Sequence, residues 1–232
     1  MAAGWIGFAG GLIAAVISAV VAVRQSQMAE RLALLTRKLD AEAQAEAILA
    51  RYREPLASAA FDLQSRIYNI LRMDFLDLYA EPHKRAEEAI RTTVFRLAQY
   101  FGWTEILRRD IQYLSFPEDG ATRAVAHLQL QISRHFLTHE VGSELMIWSD
   151  EQRAIGESMI VEENGRILCM GYATFRARCD DTFAPWCERL RGELGSDPAQ
   201  ARLVEVQHLL CDLIKLLDDR QVRYNPEDLQ LA

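Results

Sequence analysis

Apolar residues fill the start of this chain and then recur at helical spacing almost to its end. Between Trp5 and Val23 the only polar side chain is Ser18, and no Asp, Glu, Lys or Arg precedes Arg24. A helix over this stretch, rising ~1.5 Å per residue, reaches about 28 Å, close to the ~30 Å hydrocarbon core of a bilayer. The pattern predicts a permanent transmembrane helix. A cleaved signal would carry a basic segment before its apolar run, and a core helix would show a polar face. Arg24, Arg31, Arg37 and Lys38 follow the span and none precedes it. Positive charge stays inside, so the N-terminus is expected outside and the rest in the cytoplasm, at the plasma (inner) membrane of a bacterium. Trp5 stands where an outer-interface aromatic anchor would sit.

Residues 24–53 contain no Gly or Pro and are rich in Ala, Leu, Glu, Gln and Arg, which predicts a helical stalk. Met28, Leu32, Leu35 and Leu39 follow the 4-3-4 steps of a coiled-coil seam, and Glu42 and Glu46 end it. The stalk either makes a short parallel contact with a second copy or lies against its own domain. Pro55 suits the first turn of a new helix whose inner face is Leu56, Ala60, Leu63, Ile67, Leu71, Phe75 and Leu78. Pro82 starts another, with Ala86, Ile90, Val94, Leu97 and Phe101 inward and a bend at Gly102 before Leu107, Ile111 and Leu114. Phe116 to Gly120 reads as a loop.

A helix over 121–139 carries one stripe of Val125, Leu128, Ile132 and Phe136 and a second of Ala126, Leu130 and Leu137. So wide an apolar surface suits the interior of a bundle. Ser149 with Gln152 forms a capping-box pattern for a short helix to about Ile160. Asn164-Gly165 is a turn, read either as a hairpin pairing 159–161 with 167–170 or as a plain helix break. Residues 183–194 are helical, and Ser196 or Asp197 caps a last helix with Pro198 in its first turn. Its face is Leu203, Val206, Leu210, Leu213 and Leu217. The expected fold is all-α: a transmembrane anchor over 1–23, a stalk over 24–53, a cytoplasmic helical bundle over 54–220 with at most one short β-hairpin near 159–170, and a polar tail over 221–232.

Composition narrows the function classes. The net charge of −7 argues against nucleic acid. Arginine far outnumbers lysine, a bias that accompanies GC-rich bacterial genomes. Cys169, Cys179, Cys187 and Cys211 form no C-x-x-C pair, and in a reducing compartment they are read as small buried side chains. Phosphate-loop, dinucleotide, zinc-protease and nucleophile-elbow motifs are absent, so no catalytic residue and no cofactor is assigned.

Several polar groupings invite a site, each with a plainer reading. Gly7, Gly11, Ala15 and Ala19 form a small-residue stripe that either packs transmembrane helices or faces lipid. His127, Gln131, His135 and His139 step by four. His135 and His139, beside Glu140, have i, i+4 spacing for one metal, but two ligands do not make a site and a solvated face explains the row. Glu205-x-x-His208 with Asp212 resembles half of a di-iron set and occurs once. Asp62, Arg66 and Asn69 share a helix face that is a solvated ion pair, a buried network or a recognition surface; Glu105, Arg108 and Arg109 read alike. Gln152, Arg153, Gly156 and Glu157, with Gly171-Tyr172, line a pocket or mark close helix packing.

The run Tyr52-Arg53-Glu54-Pro55-Leu56, continuing through Asp62-Leu63-Gln64-Ser65-Arg66 to Tyr68-Asn69, resembles a signature of an uncharacterised family of bacterial helical proteins. Glu151 to Glu157 and Gly171-Tyr172 are similar to its later parts. The resemblance covers most of the domain and implies no activity, cofactor or site residue. The leading expectation is a single-pass membrane protein, more a scaffold, interaction or regulatory module than an enzyme, held in the bilayer by residues 5–23. Its partner would be a second copy or another protein. The alternatives are a membrane-tethered enzyme or metal-binding protein, and a stress or defence effector that oligomerises through the Gly7–Ala19 stripe to act on the membrane.

Overall fold

The computed structural model describes residues 3–79, 85–111 and 121–232, without the side chains of 3–17, 19, 20, 111 and 121. It is mostly helical, 76% helix, with eight helices and one short antiparallel two-stranded sheet among the described residues. The order is α1 (Ala3–Arg72), α2 (Phe75–Leu78), α3 (Ala86–Ile111), α4 (Ala121–Leu137), α5 (Ser149–Ser158), β1 (Ile160–Glu163), β2 (Arg166–Cys169), α6 (Tyr172–Arg178), α7 (Ala184–Glu193) and α8 (Asp197–Leu217). Two compact units divide the chain, 1–44 and 45–232.

Among the described residues no helix is long and apolar enough to cross a membrane. The transmembrane reading of 5–23 therefore gains no support from them. Most side chains of that stretch, including Trp5 and the Gly7, Gly11, Ala15 and Ala19 stripe, lie outside the described residues. In the first unit Met28, Leu32, Leu35 and Leu39 are between 57% and 66% exposed. Nothing within that unit covers the seam.

The second unit begins earlier than the stalk boundary at 53 allows: Ala45, Leu49 and Tyr52 are already buried in its core. Pro55 opens no new helix; it sits inside α1. Its missing N–H leaves the carbonyl of Arg51 without its usual i+4 donor, at a cost of up to ~3 kcal/mol. Burial of Tyr52, Leu56, Ala57, Ala59 and Ala60 on either side holds the helix together through it. The expected face holds from Leu56 to Ile67. Then α1 stops at Arg72, Asp74 turns left-handed at φ 48, and Leu78 is exposed. The proposed start at Pro82, and the loop at 116–120 with Leu114 before it, lie outside the described residues.

Helix α3 runs unbroken through Gly102. A Cβ there would sit 2.7 Å from Cys169 Sγ and 2.9 Å from Met159 Cβ. The missing side chain lets the β-hairpin lie directly on the helix. Gly156 plays the same part between α5 and α3: a Cβ would stand 2.7 Å from the Phe101 carbonyl oxygen. Of the two readings of the Asn164-Gly165 turn, the hairpin is the one formed. Ile160 pairs with Cys169 and Val161 with Leu168, and Asn164 and Gly165 both take positive φ, as a two-residue hairpin turn requires.

On α4 the Val125 stripe faces the core and α8, but Leu130 and Leu137 of the second stripe are exposed. The helix buries one face only. The start of α5 is held by Glu151, whose carboxylate accepts the Trp148 N–H at 2.8 Å, rather than by Ser149 and Gln152. On α8 all five expected face residues are buried. The 221–232 segment is no free tail. Tyr224 and Leu229 are buried, Phe61 stacks on Tyr224 at 4.5 Å, and Asp218 accepts the backbone N–H groups of Val222, Arg223 and Tyr224.

Candidate functional site

Of the Asp62, Arg66 and Asn69 face, Arg66 enters a buried network, while Asp62 and Asn69 are half-buried. Among the described residues Asp62 and Arg66 form no ion pair. Arg66 turns inward, where its Nη1 donates to Thr92 and Thr93 hydroxyls at 3.0 Å and to the Ala89 carbonyl at 3.3 Å. Its guanidinium lies over the Phe75 ring at 3.9 Å, within cation–π range. Burial, with repulsion from Arg96, pushes its pKa down to about 10, so it stays charged at neutral pH. Arg96 reaches back to the Asp62 carbonyl oxygen at 2.8 Å. Asn69 is half-buried, and its carbonyl accepts the Met73 N–H. The cluster ties α1 to α3 and α2. Its Arg66 contacts position these helices on one another.

A cavity of about 470 Å³ opens among α3, α4, α5 and the Leu49 turn of α1. Leu49, Phe101, Leu107, Val125 and Leu130 make it apolar, and Thr104, Gln129, Ser133, Gln152 and Arg153 add polar groups. Such a volume lies within the range of small-molecule sites. Gln152 and Arg153 thus meet the pocket half of their reading, while Gly156 meets the packing half. Gln152 and Glu105 on the wall are already engaged. Gln152 donates to the carbonyls of Ser133 and Ile147, at 3.0 and 2.8 Å. Glu105 is gripped by Arg108 at 2.6 Å and Arg109 at 2.8 Å. Burial alone would raise the Glu105 pKa, but these hydrogen bonds and charges outweigh it and hold the carboxyl below its ordinary value. It is an ionised anchor at neutral pH and cannot serve as a proton donor. Arg109 also reaches Glu157 at 3.1 Å, so the ion-pair cluster joins α3 to α5. Among the described lining residues none pairs a nucleophile with a base.

The histidine row disperses. Helix α4 ends at Leu137, so His139 sits in the following turn and loses the i, i+4 relation to His135. His127 and His139 are exposed. Glu205 is exposed, His208 contacts the Ala232 carbonyl at 3.4 Å, and Asp212 pairs with Lys215. Among the described residues no group of three His, Cys, Asp or Glu side chains could hold a metal ion.

No family model, curated protein or solved structure matches this chain. Its functional reading therefore rests on its own residues.

Sequence reasoning missed two buried polar residues and the pairing of two cysteines. Arg202, on α8, is fully buried and donates to the carbonyls of Glu144 at 2.9 Å, Gly142 at 2.8 Å and His135. One cation thereby closes the C-terminal end of α4, where unpaired carbonyls favour positive charge. Gln207 donates to Gln64 Oε1 at 3.1 Å and to the Gln230 carbonyl at 2.8 Å, and accepts the Ala232 N–H. It locks the C-terminal segment between α1 and α8. Cys179 and Cys187 bring their sulfurs to 3.0 Å. Arg202 and Gln207 neighbour the apolar stripe of α8 in sequence, and a polar residue beside such a stripe was the only available signal.

Proposed function

We propose that this chain is a membrane-tethered helical scaffold or interaction module that works as a parallel pair of copies, joined through the seam of α1. The supporting observation is the exposed row of Met28, Leu32, Leu35 and Leu39 at heptad spacing. With Leu32 and Leu39 at the a positions, the g positions are Arg24, Arg31 and Lys38 and the e positions are Ala29, Thr36 and Ala43. An antiparallel pair would set the basic row against itself. A parallel pair sets it against small neutral residues, and like charge is avoided. The uncharged 5–23 stretch supplies the tether, with the 45–232 unit on the cytoplasmic side beside the basic flank.

Photo-crosslinking the full chain in its membrane, with a benzophenone amino acid at position 39, tests this. The expected product is a self-adduct to residues 36–43 of the second copy, lost when Leu35→Glu weakens pairing at least tenfold. An adduct near residue 28 would mean antiparallel pairing. Capture of a different protein alone, or of lipid alone, would dismiss self-pairing.

A further inference from the structure

Helix α6 ends at Arg178, and a tight turn follows. The Asp181 and Thr182 N–H groups both bond back to the Arg178 carbonyl, and the chain re-enters helix at Ala184. The turn folds Cys187, in the first part of α7, back over Cys179, the C-cap of α6. Their sulfurs stand 3.0 Å apart, both buried and both free. A disulfide needs ~2.05 Å, so closure asks for about 1 Å of approach. Cys169 and Cys211 lie elsewhere, against the Gln99 carbonyl and the Gln64–Gln207 pair.

The surroundings of the two sulfurs differ. Arg91 of α3 has its Nη1 3.3 Å from Glu88 and its Nη2 3.4 Å from Asp180. Asp180 directly follows Cys179, so this ion pair ties the start of the turn to α3. Burial, and then the hydrogen bond with Cys179, push the Cys187 thiol up to about 12. Cys187 therefore keeps its proton and can donate it towards Cys179, which leaves Cys179 as the sulfur that attacks first.

We propose that Cys179 and Cys187 form a reversible disulfide site, oxidised by a low-molecular-weight disulfide of the glutathione type. The Cys179 thiolate attacks one sulfur of the oxidant, forming a mixed disulfide and expelling one small thiolate. Cys187 then gives up its proton and attacks the Cys179 sulfur, and the S–S bond to the second small thiol breaks. Two electrons pass from the protein dithiol to the oxidant. The two thiol protons end on the two small thiols released. Access to the buried pair comes through local opening of the short α6–α7 segment. Closure fixes that segment, and with it the Arg91–Asp180 link to α3, in one arrangement.

The test is incubation of the full chain in detergent with oxidised glutathione, followed by alkylation and peptide mapping. The expected product is one chain that has lost the mass of two hydrogens and two of its four alkylatable thiols. It carries a Cys179–Cys187 cross-linked peptide and is restored by dithiothreitol. A Cys169→Ser/Cys211→Ser variant should behave identically, and Cys187→Ser should accumulate a mixed disulfide at Cys179. A link to Cys169 or Cys211, an intermolecular link, or four alkylatable thiols after conditions that fully oxidise the unfolded chain would overturn the site. A mixed disulfide that builds up at Cys187 in Cys179→Ser as fast as at Cys179 in Cys187→Ser would overturn Cys179 as the attacking sulfur.

Discussion

Single side chains hold this domain by satisfying backbone groups as much as by filling space. Arg202 is the clearest case. Its three carbonyl partners are part-buried, and removing it takes away the donor they share. Arg202→Met keeps the length and loses the donors, so a destabilisation of about 3 kcal/mol is expected. Urea unfolding checks it, as a lower midpoint with an unchanged slope. Gly156 acts by absence. Gly156→Ala would press a methyl against the Phe101 carbonyl and Glu105 Cβ, and neither can retreat without moving α3. The expected loss is about 1–3 kcal/mol, read from the same unfolding curves. The role of Arg202 could not be seen in the sequence; close packing at Gly156 was one of the two readings its surroundings allowed. A lone arginine beside a leucine stripe and a glycine in a short helix have many ordinary explanations.

At the scale of elements, spacing predicted the helices well where one face was apolar and failed where context overrode a local signal. The faces of α8 and of α1 from Leu56 to Ile67 follow their three- and four-residue steps into the core. Pro55 was read as a boundary and is not; Gly102, read as a bend, is where the hairpin packs on α3. Flanking burial carries α1 through the proline, and the hairpin needs the space at the glycine. On α1 the periodicity continues past the domain into the exposed seam. If that seam pairs two copies, Leu35→Glu should lower self-association without changing the urea midpoint of the 45–232 unit. Light scattering beside urea unfolding separates these outcomes. A fall in both would mean that the seam stabilises the fold itself. The candidate cavity was half legible. Gln152 and Arg153 were singled out near it, but Leu49, Phe101 and Val125 come from three separate helices and meet only after folding.

For the whole molecule, acid is the informative perturbation. Glu88, held by the Tyr172 hydroxyl, and Asp218, held first by the Arg223 N–H, both sit below their ordinary values of 4.5 and 3.8. Glu105 does so against its own burial. A carboxyl with a depressed folded pKa binds its proton first in the unfolded chain. Its stabilising effect is therefore complete above the unfolded value and disappears as pH falls through the folded one. Stability should be nearly flat in pH from about 7 to 5 as far as these groups go, and should fall steadily from about pH 4.5 downward. Glu105→Gln should flatten part of that fall while lowering neutral stability by about 1–3 kcal/mol, since its arginine partners are half-exposed and screened. Urea midpoints across this range give the answer, and an unaltered acid slope in Glu105→Gln would remove it from the account.

The sequence by itself determined the helical class, the faces that go inward, the Asn164-Gly165 turn and an uncharged leading stretch. Each of these depends on the spacing of neighbouring residues along one element. Only the tertiary structure decided which polar residues are buried together: Arg66 with Thr92 and Thr93, Arg202 with three carbonyls, Gln207 with Gln64 and the C-terminal segment, and Cys179 with Cys187. Apolar burial is proportional to area and indifferent to partner, so its pattern is written locally. A buried hydrogen bond needs one particular partner at one distance, and that partner is supplied by folding from far along the chain.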